Sequence, residues 1–127
     1  MTLFMAKKTW LVTGGAGFIG SHIVEELVRR GERVRVIDNL STGKIEKLDS
    51  VRGDIDFIQG DITRPQDCAE ACAGVDFVLH QAAIRSVPKS MDRPLPSNEA
   101  NVTGTLNMLI AARDAKVKRF VYASSSS

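Results

Sequence analysis

The residues Thr13-Gly14-Gly15-Ala16-Gly17-Phe18-Ile19-Gly20 have the types and spacing that could do chemistry, and they follow an apolar run and open an amphipathic one. Such a pattern describes a strand turning sharply into a helix. Glycine stands where a side chain would obstruct the turn, an incoming phosphate or the packing of helix on sheet. The helix start offers unpaired backbone N–H groups and roughly half a positive charge, so a dinucleotide pyrophosphate belongs there. Two spacings overlap, Gly15-x-Gly17-x-x-Gly20 and Gly14-x-x-Gly17-x-x-Gly20. A glycine motif alone is a weak signal, and its neighbours must decide.

Asp38 is the first of those neighbours, at the end of the next apolar run. A carboxylate at that place accepts from both adenosine ribose hydroxyls, in charge-assisted bonds of about 1.5–3 kcal/mol each. It also repels a 2'-phosphate, so the residues point to NAD over NADP. With strand, glycines, helix, strand and acid in register, the motif becomes specific. Residues 124–127, four serines in a row, follow a buried-looking strand and fall on the same cofactor-facing edge. His22 reads as a surface or capping histidine and His80 as a hydrogen-bonded core histidine. Neither belongs to a cluster with metal-ligand spacing.

Positioning these residues requires alternating strands and helices. The apolar periodicity predicts strands over 9–13, 33–37, 56–59, 75–80 and 119–123. Helices are expected from the glycines to about residue 30, over 64–73 and over 97–115, with one helical turn near 45–48. Thr63-x-x-Gln66 has the spacing of a capping box, with Pro65 tolerated in the first turn. Residues 81–96 are irregular and hold three of the four prolines. The alternation predicts an α/β fold: a Rossmann-type doubly wound parallel sheet in the order 3-2-1-4-5, with ligand at the switch point between strands 1 and 4.

With 127 residues, 43% apolar and 25% charged, the composition is that of one globular domain. A net charge of +2, with the basic residues scattered, argues against a nucleic-acid or membrane partner. No apolar run approaches the ~18 residues of a membrane span. Residues 1–6 read as a disordered leader, and a cytoplasmic location is expected. Cys68 and Cys72 share a helix face and read as buried thiols in a reducing compartment.

The glycine motif, Asp38-Asn39-Leu40-Ser41-Thr42-Gly43, Gly60-Asp61-Ile62, His80-Gln81-Ala82-Ala83, Asn101-Val102-x-Gly104-Thr105 and the terminal serines together resemble the extended short-chain dehydrogenases that act on nucleotide sugars. The resemblance implies that Gly14, Gly17 and Gly20 make the phosphate turn and that Phe18 and Ile19 cover the pyrophosphate. Asp38, Asn39, Ser41, Thr42 and Gly43 would hold the adenosine, and Asp61 and Ile62 would line the adenine. Gln81, Ala82 and Ala83 would pass beside the nicotinamide half, with Arg85 among the cofactor contacts and Asn101 ordering the site. Ser86-Val87-Pro88-Lys89-Ser90 is similar to a run in bacterial UDP-glucose and UDP-N-acetylglucosamine 4-epimerases, placing Ser86 and Val87 against the substrate. The family's 4,6-dehydratases carry an Asp-Glu pair where Ser126 and Ser127 stand, so the resemblance favours a 4-epimerase. Arg85 replaces a small residue of the acetylated-sugar enzymes, which leaves the N-acetyl preference open.

The implied reaction is a hydride excursion: carbon 4 of the sugar gives its hydride to NAD, and the 4-keto sugar turns over and takes it back on the other face. Ser125 and Ser127 would hydrogen-bond the reacting hydroxyl. The family's base, the tyrosine of a Tyr-x-x-x-Lys pair, is absent; Tyr122 has no lysine four residues on. Residues 7–127 are therefore expected to be an incomplete NAD-binding domain without its substrate domain, inactive alone. In the whole enzyme, a UDP-sugar would be the substrate, and the helix over 97–115 would join two subunits. A dehydratase or keto-reductase of the same family, or a non-catalytic NAD-sensing module, are the alternatives.

Overall fold

The computed structural model describes residues 8–40, 44–81 and 102–122, so the expected leader lies outside the described residues. Strand β1 (Thr9–Thr13) leads through the glycine turn into helix α1 (Phe18–Arg29), and β2 (Arg33–Asp38) follows. After β2 come a 3-10 helix (Ile45–Asp54) and strand β3 (Ile55–Gln59). Helix α2 (Pro65–Cys72), strand β4 (Phe77–His80), helix α3 (Gly104–Asp114) and strand β5 (Arg119–Tyr122) complete the order. All pairings are parallel, in the order β3-β2-β1-β4-β5, the doubly wound arrangement expected from the sequence.

β1 lies in the middle of the sheet, and its alternate residues feed two separate cores. Val12 packs with Val24 and Leu27 of α1, Val36 of β2 and Leu48 of the 3-10 helix on one face. Leu11 packs with Cys68, Cys72, Val78 and Met108 under α2 and α3 on the other. Both strand residues are fully buried, which is why β1 reads as an unbroken apolar run. At the amino edge Asp76 stitches three strands together. Its Oδ2 accepts from Thr9 N at 2.9 Å, its amide donates to Thr9 O, and its carbonyl accepts from Lys118 N. The Thr9 amide, with Lys118 and Lys8 nearby, holds the Asp76 carboxyl below its usual range.

Several elements depart from the sequence expectation. The single turn expected over 45–48 is a 3-10 helix from Ile45 to Asp54. Ile45, Leu48 and Val51, three apart, all pack on the α1 face, the period of a helix with three residues per turn. The capping box is not formed: α2 starts at Pro65 with no side-chain cap bond. Instead the Thr63 hydroxyl donates to Asp61 Oδ1 at 2.6 Å, and Asp67 reaches back to accept from Asp61 N at 2.8 Å. β4 begins at Phe77 rather than 75, with Val75 buried in the core ahead of it. α3 is described from Gly104, entered through wider π-type turns at 102–103; residues 97–101 of the expected helix lie outside the described residues.

Both cysteines are free and buried, and burial pushes the Cys68 thiol up to about 12 and Cys72 up to about 11. Neither is a thiolate at neutral pH. Among the described residues, no helix is long and apolar enough to cross a membrane.

One cation closes a helix. Arg35 of β2 sends Nη1 to the carbonyls of Ala71 and Ala73 at 2.9 and 2.7 Å, at the carboxyl end of α2. This satisfies carbonyls that α2 cannot bond internally and opposes its dipole. Arg35→Ala is expected to lower stability by about 1–2 kcal/mol, measured as a lower urea midpoint with unchanged slope.

Candidate functional site

Every sequence-predicted site residue that is described lies at the carboxyl edge of the sheet. The glycine turn leaves β1 there, Asp38 ends β2, Asp61 and Ile62 follow β3, and Gln81 follows β4. Backbone bonds lock these ends to one another: Gly14 N to Ile37 O at 2.8 Å, Gly60 N to Asp38 O at 3.2 Å and Gln81 N to Thr13 O at 3.1 Å. Helix α1 after β1 and helix α3 after β4 pack on opposite faces of the sheet, which makes the ends of these two strands its switch point.

The glycine turn is built to a tolerance no side chain meets. Gly14 takes a φ of 70°, in the left-handed region. A Cβ on Gly20 would stand 2.2 Å from Gly14 O, and one on Gly15 would strike Val36 Cγ1 at 2.5 Å. The two overlapping glycine spacings therefore both have a physical cause: one turn, one close approach of helix to turn, and one of turn to sheet. The first bond of α1 runs from Ser21 N to Gly17 O at 2.9 Å, so the amides of residues 18–20 have no partner within the helix. They face the direction in which an anion is stabilised. Phe18 and Ile19 stand exposed at the head of α1, at 71% and 49%, as covers of a bound pyrophosphate would.

Asp38 is buried, and its two oxygens accept from Ala16 N at 2.9 Å and Leu40 N at 2.7 Å. Asn39 beside it is exposed. Asp61 holds an Asx-type turn, its Oδ1 accepting from Thr63 N at 2.9 Å. Ile62, expected against the adenine, is packed in the core beneath α2 and α3. Its carbonyl accepts from Cys68 Sγ and from Asn107 Nδ2, at 3.2 and 2.9 Å. Ser41, Thr42, Gly43, Ala82, Ala83, Arg85, Ser86, Val87, Asn101, Ser125 and Ser127 lie outside the described residues. Among the described residues no group of three His, Cys, Asp or Glu could hold a metal ion. His22 is exposed, its Nδ1 at 2.7 Å from Phe18 O.

His80 is the member whose reach the sequence did not show. It is 1% exposed, with Nδ1 2.8 Å from Thr13 Oγ1 and Nε2 3.0 Å from Thr105 Oγ1, and Tyr122 stacks on the ring at 5.5 Å. One imidazole thus ties β1, β4, β5 and α3 at the carboxyl ends of β1 and β4. Thr13 Oγ1 also accepts from Gln81 N at 2.8 Å. The signal was in the sequence as a polar residue at each of two adjacent strand ends, Thr13 and His80, with Thr105 in the helix that follows.

A glycine turn, a free helix start and a buried acid at the switch point of a doubly wound sheet define a dinucleotide-binding domain. The chain belongs to the NAD dependent epimerase/dehydratase family, whose sequence model matches residues 10–127, and its cofactor is accordingly NAD. It is similar to a UDP-N-acetyl-alpha-D-glucosaminuronate decarboxylase of Bacillus cytotoxicus, 42% identical over 94% of this chain and 37% of the relative. A UDP-glucose 4-epimerase of Klebsiella pneumoniae is 39% identical over 91% of this chain and 88% of that protein. The structure of a UDP-glucose 4-epimerase of Thermus thermophilus in complex with NAD superposes with a TM-score of 0.79 at 42% identity, covering 88% of this chain and 36% of that one. The chain thus spans little more than a third of the length of the Bacillus and Thermus relatives.

Burial pushes the His80 imidazole down to about 4 from an ordinary 6.5. The folded state therefore keeps His80 neutral where the unfolded chain is already protonated. Stability is complete above about pH 6.5, is lost as pH falls from 6.5 towards 4, and levels off below, a total of roughly 3 kcal/mol. Urea midpoints measured across that interval should fall more steeply for the wild type than for His80→Gln, which carries no titrating ring.

Proposed function

We propose that this chain is the N-terminal, NAD-holding part of a cytoplasmic nucleotide-sugar 4-epimerase, acting on UDP-glucose and UDP-galactose or their N-acetylated counterparts. The observation that carries the reading is the junction at the carboxyl edge, where the glycine turn and Asp38 meet beside an open helix start. The short span relative to the Bacillus and Thermus proteins supports its being one part of a longer enzyme. The Ser86-Val87-Pro88-Lys89-Ser90 run, and serine at 126 and 127, favour epimerisation over elimination of water.

NAD, when bound, supplies reversible hydride acceptance at carbon 4 of the sugar. The chain's own residues do the rest. The helix start at Phe18 takes the pyrophosphate, Asp38 takes the adenosine ribose, and the segment from Gln81 through Arg85 runs beside the nicotinamide half. Ser86 and Val87 meet the sugar, and Ser125 and Ser127 hold the reacting hydroxyl. The base is the tyrosine of a Tyr-x-x-x-Lys pair outside these 127 residues, so this chain alone binds NAD without epimerising. A second outcome within the same family, such as dehydration or keto reduction, is kept open by the similarity to a decarboxylase.

Leu106, Leu109 and Ile110 are 55%, 46% and 40% exposed on α3. Such an apolar stripe suits the pairing of two subunits. Sedimentation of the chain should give a dimer, and Leu109→Glu should weaken it by about tenfold or more. The function itself is tested by expressing the reading frame extended past Ser127 and following UDP-galactose conversion. Interconversion is expected there and none from the 127-residue chain. Turnover by the chain alone, or a full frame that binds NAD and lacks the Tyr-x-x-x-Lys pair, would refute the proposal, the latter in favour of an NAD-sensing module.

A further inference from the structure

The Asp38 carboxylate is occupied before any ribose arrives. It is 9% exposed and takes a backbone N–H from each of two loops: Oδ2 from Ala16 in the glycine turn, Oδ1 from Leu40 after β2. Ala16 is held from its other side as well, its carbonyl accepting from Lys44 N at 3.1 Å. Leu40 stands at a φ of 62°, a left-handed conformation that a residue with a Cβ seldom adopts, and its side chain packs on the α1 face. One side chain therefore joins the two loops that face the cofactor and helps to hold one of them in a strained conformation.

We propose that Asp38 is a positioning residue for both loops, so that NAD preference is built into the glycine turn itself and cannot be exchanged at residue 38. The proposal rests on reading this edge as the dinucleotide site. An ionised carboxylate offers about four lone-pair positions. The Ala16 and Leu40 amides use one on each oxygen, and the remaining one on each matches the two donors of a ribose diol. A 2'-phosphate brings only acceptors and negative charge to the same place. Replacing Asp38 with a neutral residue removes that repulsion, but it also leaves the Ala16 and Leu40 amides without their acceptor. The turn that should receive the pyrophosphate then loses its brace, for NAD and NADP alike. If Asp38 were only a ribose contact, a neutral side chain would instead trade NAD affinity for NADP affinity.

The test begins without cofactor. Amide hydrogen exchange is measured by NMR on the 127-residue chain as wild type, Asp38→Ala and Asp38→Asn, with Leu11 and Val36 in the core reporting that the fold is intact. In Asp38→Ala, exchange at both Ala16 and Leu40 should accelerate by about tenfold or more while the core amides hold. Asp38→Asn has the same size and keeps one acceptor oxygen. It should lose protection at one of the two amides, and it carries the test if the alanine variant does not fold. Titration with NAD and NADP should then show both nucleotides binding more weakly to each variant. Unchanged exchange at Ala16 and Leu40 in a folded Asp38→Ala, or a gain in NADP affinity, would overturn the proposal. A wild-type chain that binds neither nucleotide would refute the dinucleotide reading, and the exchange measurement would still decide whether Asp38 braces the loops.

Discussion

The structure turns on the distance at which the end of β1 passes the end of β2. Gly14 N reaches Ile37 O at 2.8 Å, and a side chain on Gly15 would collide with Val36. Glycine is needed there because Gly14 turns at a φ of 70° and because the Val36 methyls fill the space a Cβ on Gly15 would take. Helix α1 is then obliged to start directly over the end of β1, because Gly20 packs on the Gly14 carbonyl with no room for a Cβ. The anion-stabilising end of α1 is thus aimed by the packing of the turn, and Asp38 closes the arrangement from the side. The open start of α1 and the placement of Asp38 against Ala16 are consequences of one close approach rather than two separately placed features.

The same economy holds at the switch point. A parallel sheet covered on both faces has no wet side, so any polar group placed under the switch point must find its partners inside the protein. His80 does so with Thr13 and Thr105, each on a different element, and its neutrality follows from burial. Asp76 performs the corresponding service at the amino edge, but half-buried and charged. The two edges differ in chemistry for a physical reason: one is held by charge-assisted bonds within reach of water, the other by a neutral network about a buried ring.

Strand order, the glycine turn, Asp38 and the buried cysteines were legible because each rests on a local rule: unbroken apolar runs, fixed glycine spacing, an acid in register, and thiols on one helix face. The 3-10 helix was readable only in part. Ile45, Leu48 and Val51 carry its period of three, but the charged residues between them and Gly53 mask it from a search at the α-helical period. Thr63-x-x-Gln66 failed as a capping box because a shorter-range competitor, Asp61, took the hydroxyl. Leu40 had no signal at all, since a left-handed leucine is imposed by the loop packing around it. The burial of Ile62 was not marked by its motif: its side chain lies in the core, since the carboxyl end of β3 must also seal the face under α2.

The relatives bear on what such a domain can and cannot decide. A decarboxylase and a 4-epimerase match this chain at 42% and 39% identity over nearly the same residues. The same stretch of sequence thus accompanies two differently named activities. Binding a dinucleotide asks for backbone amides, a helix end and one acid, all of which a twisted sheet edge can supply by packing alone. Directing the fate of an oxidised sugar asks instead for a base and donors placed within hydrogen-bond reach of particular hydroxyls. Those demands are independent, so one turn-and-acid junction serves several reactions. In a fold of this kind the grip on a dinucleotide and the chemistry done with it can therefore vary separately.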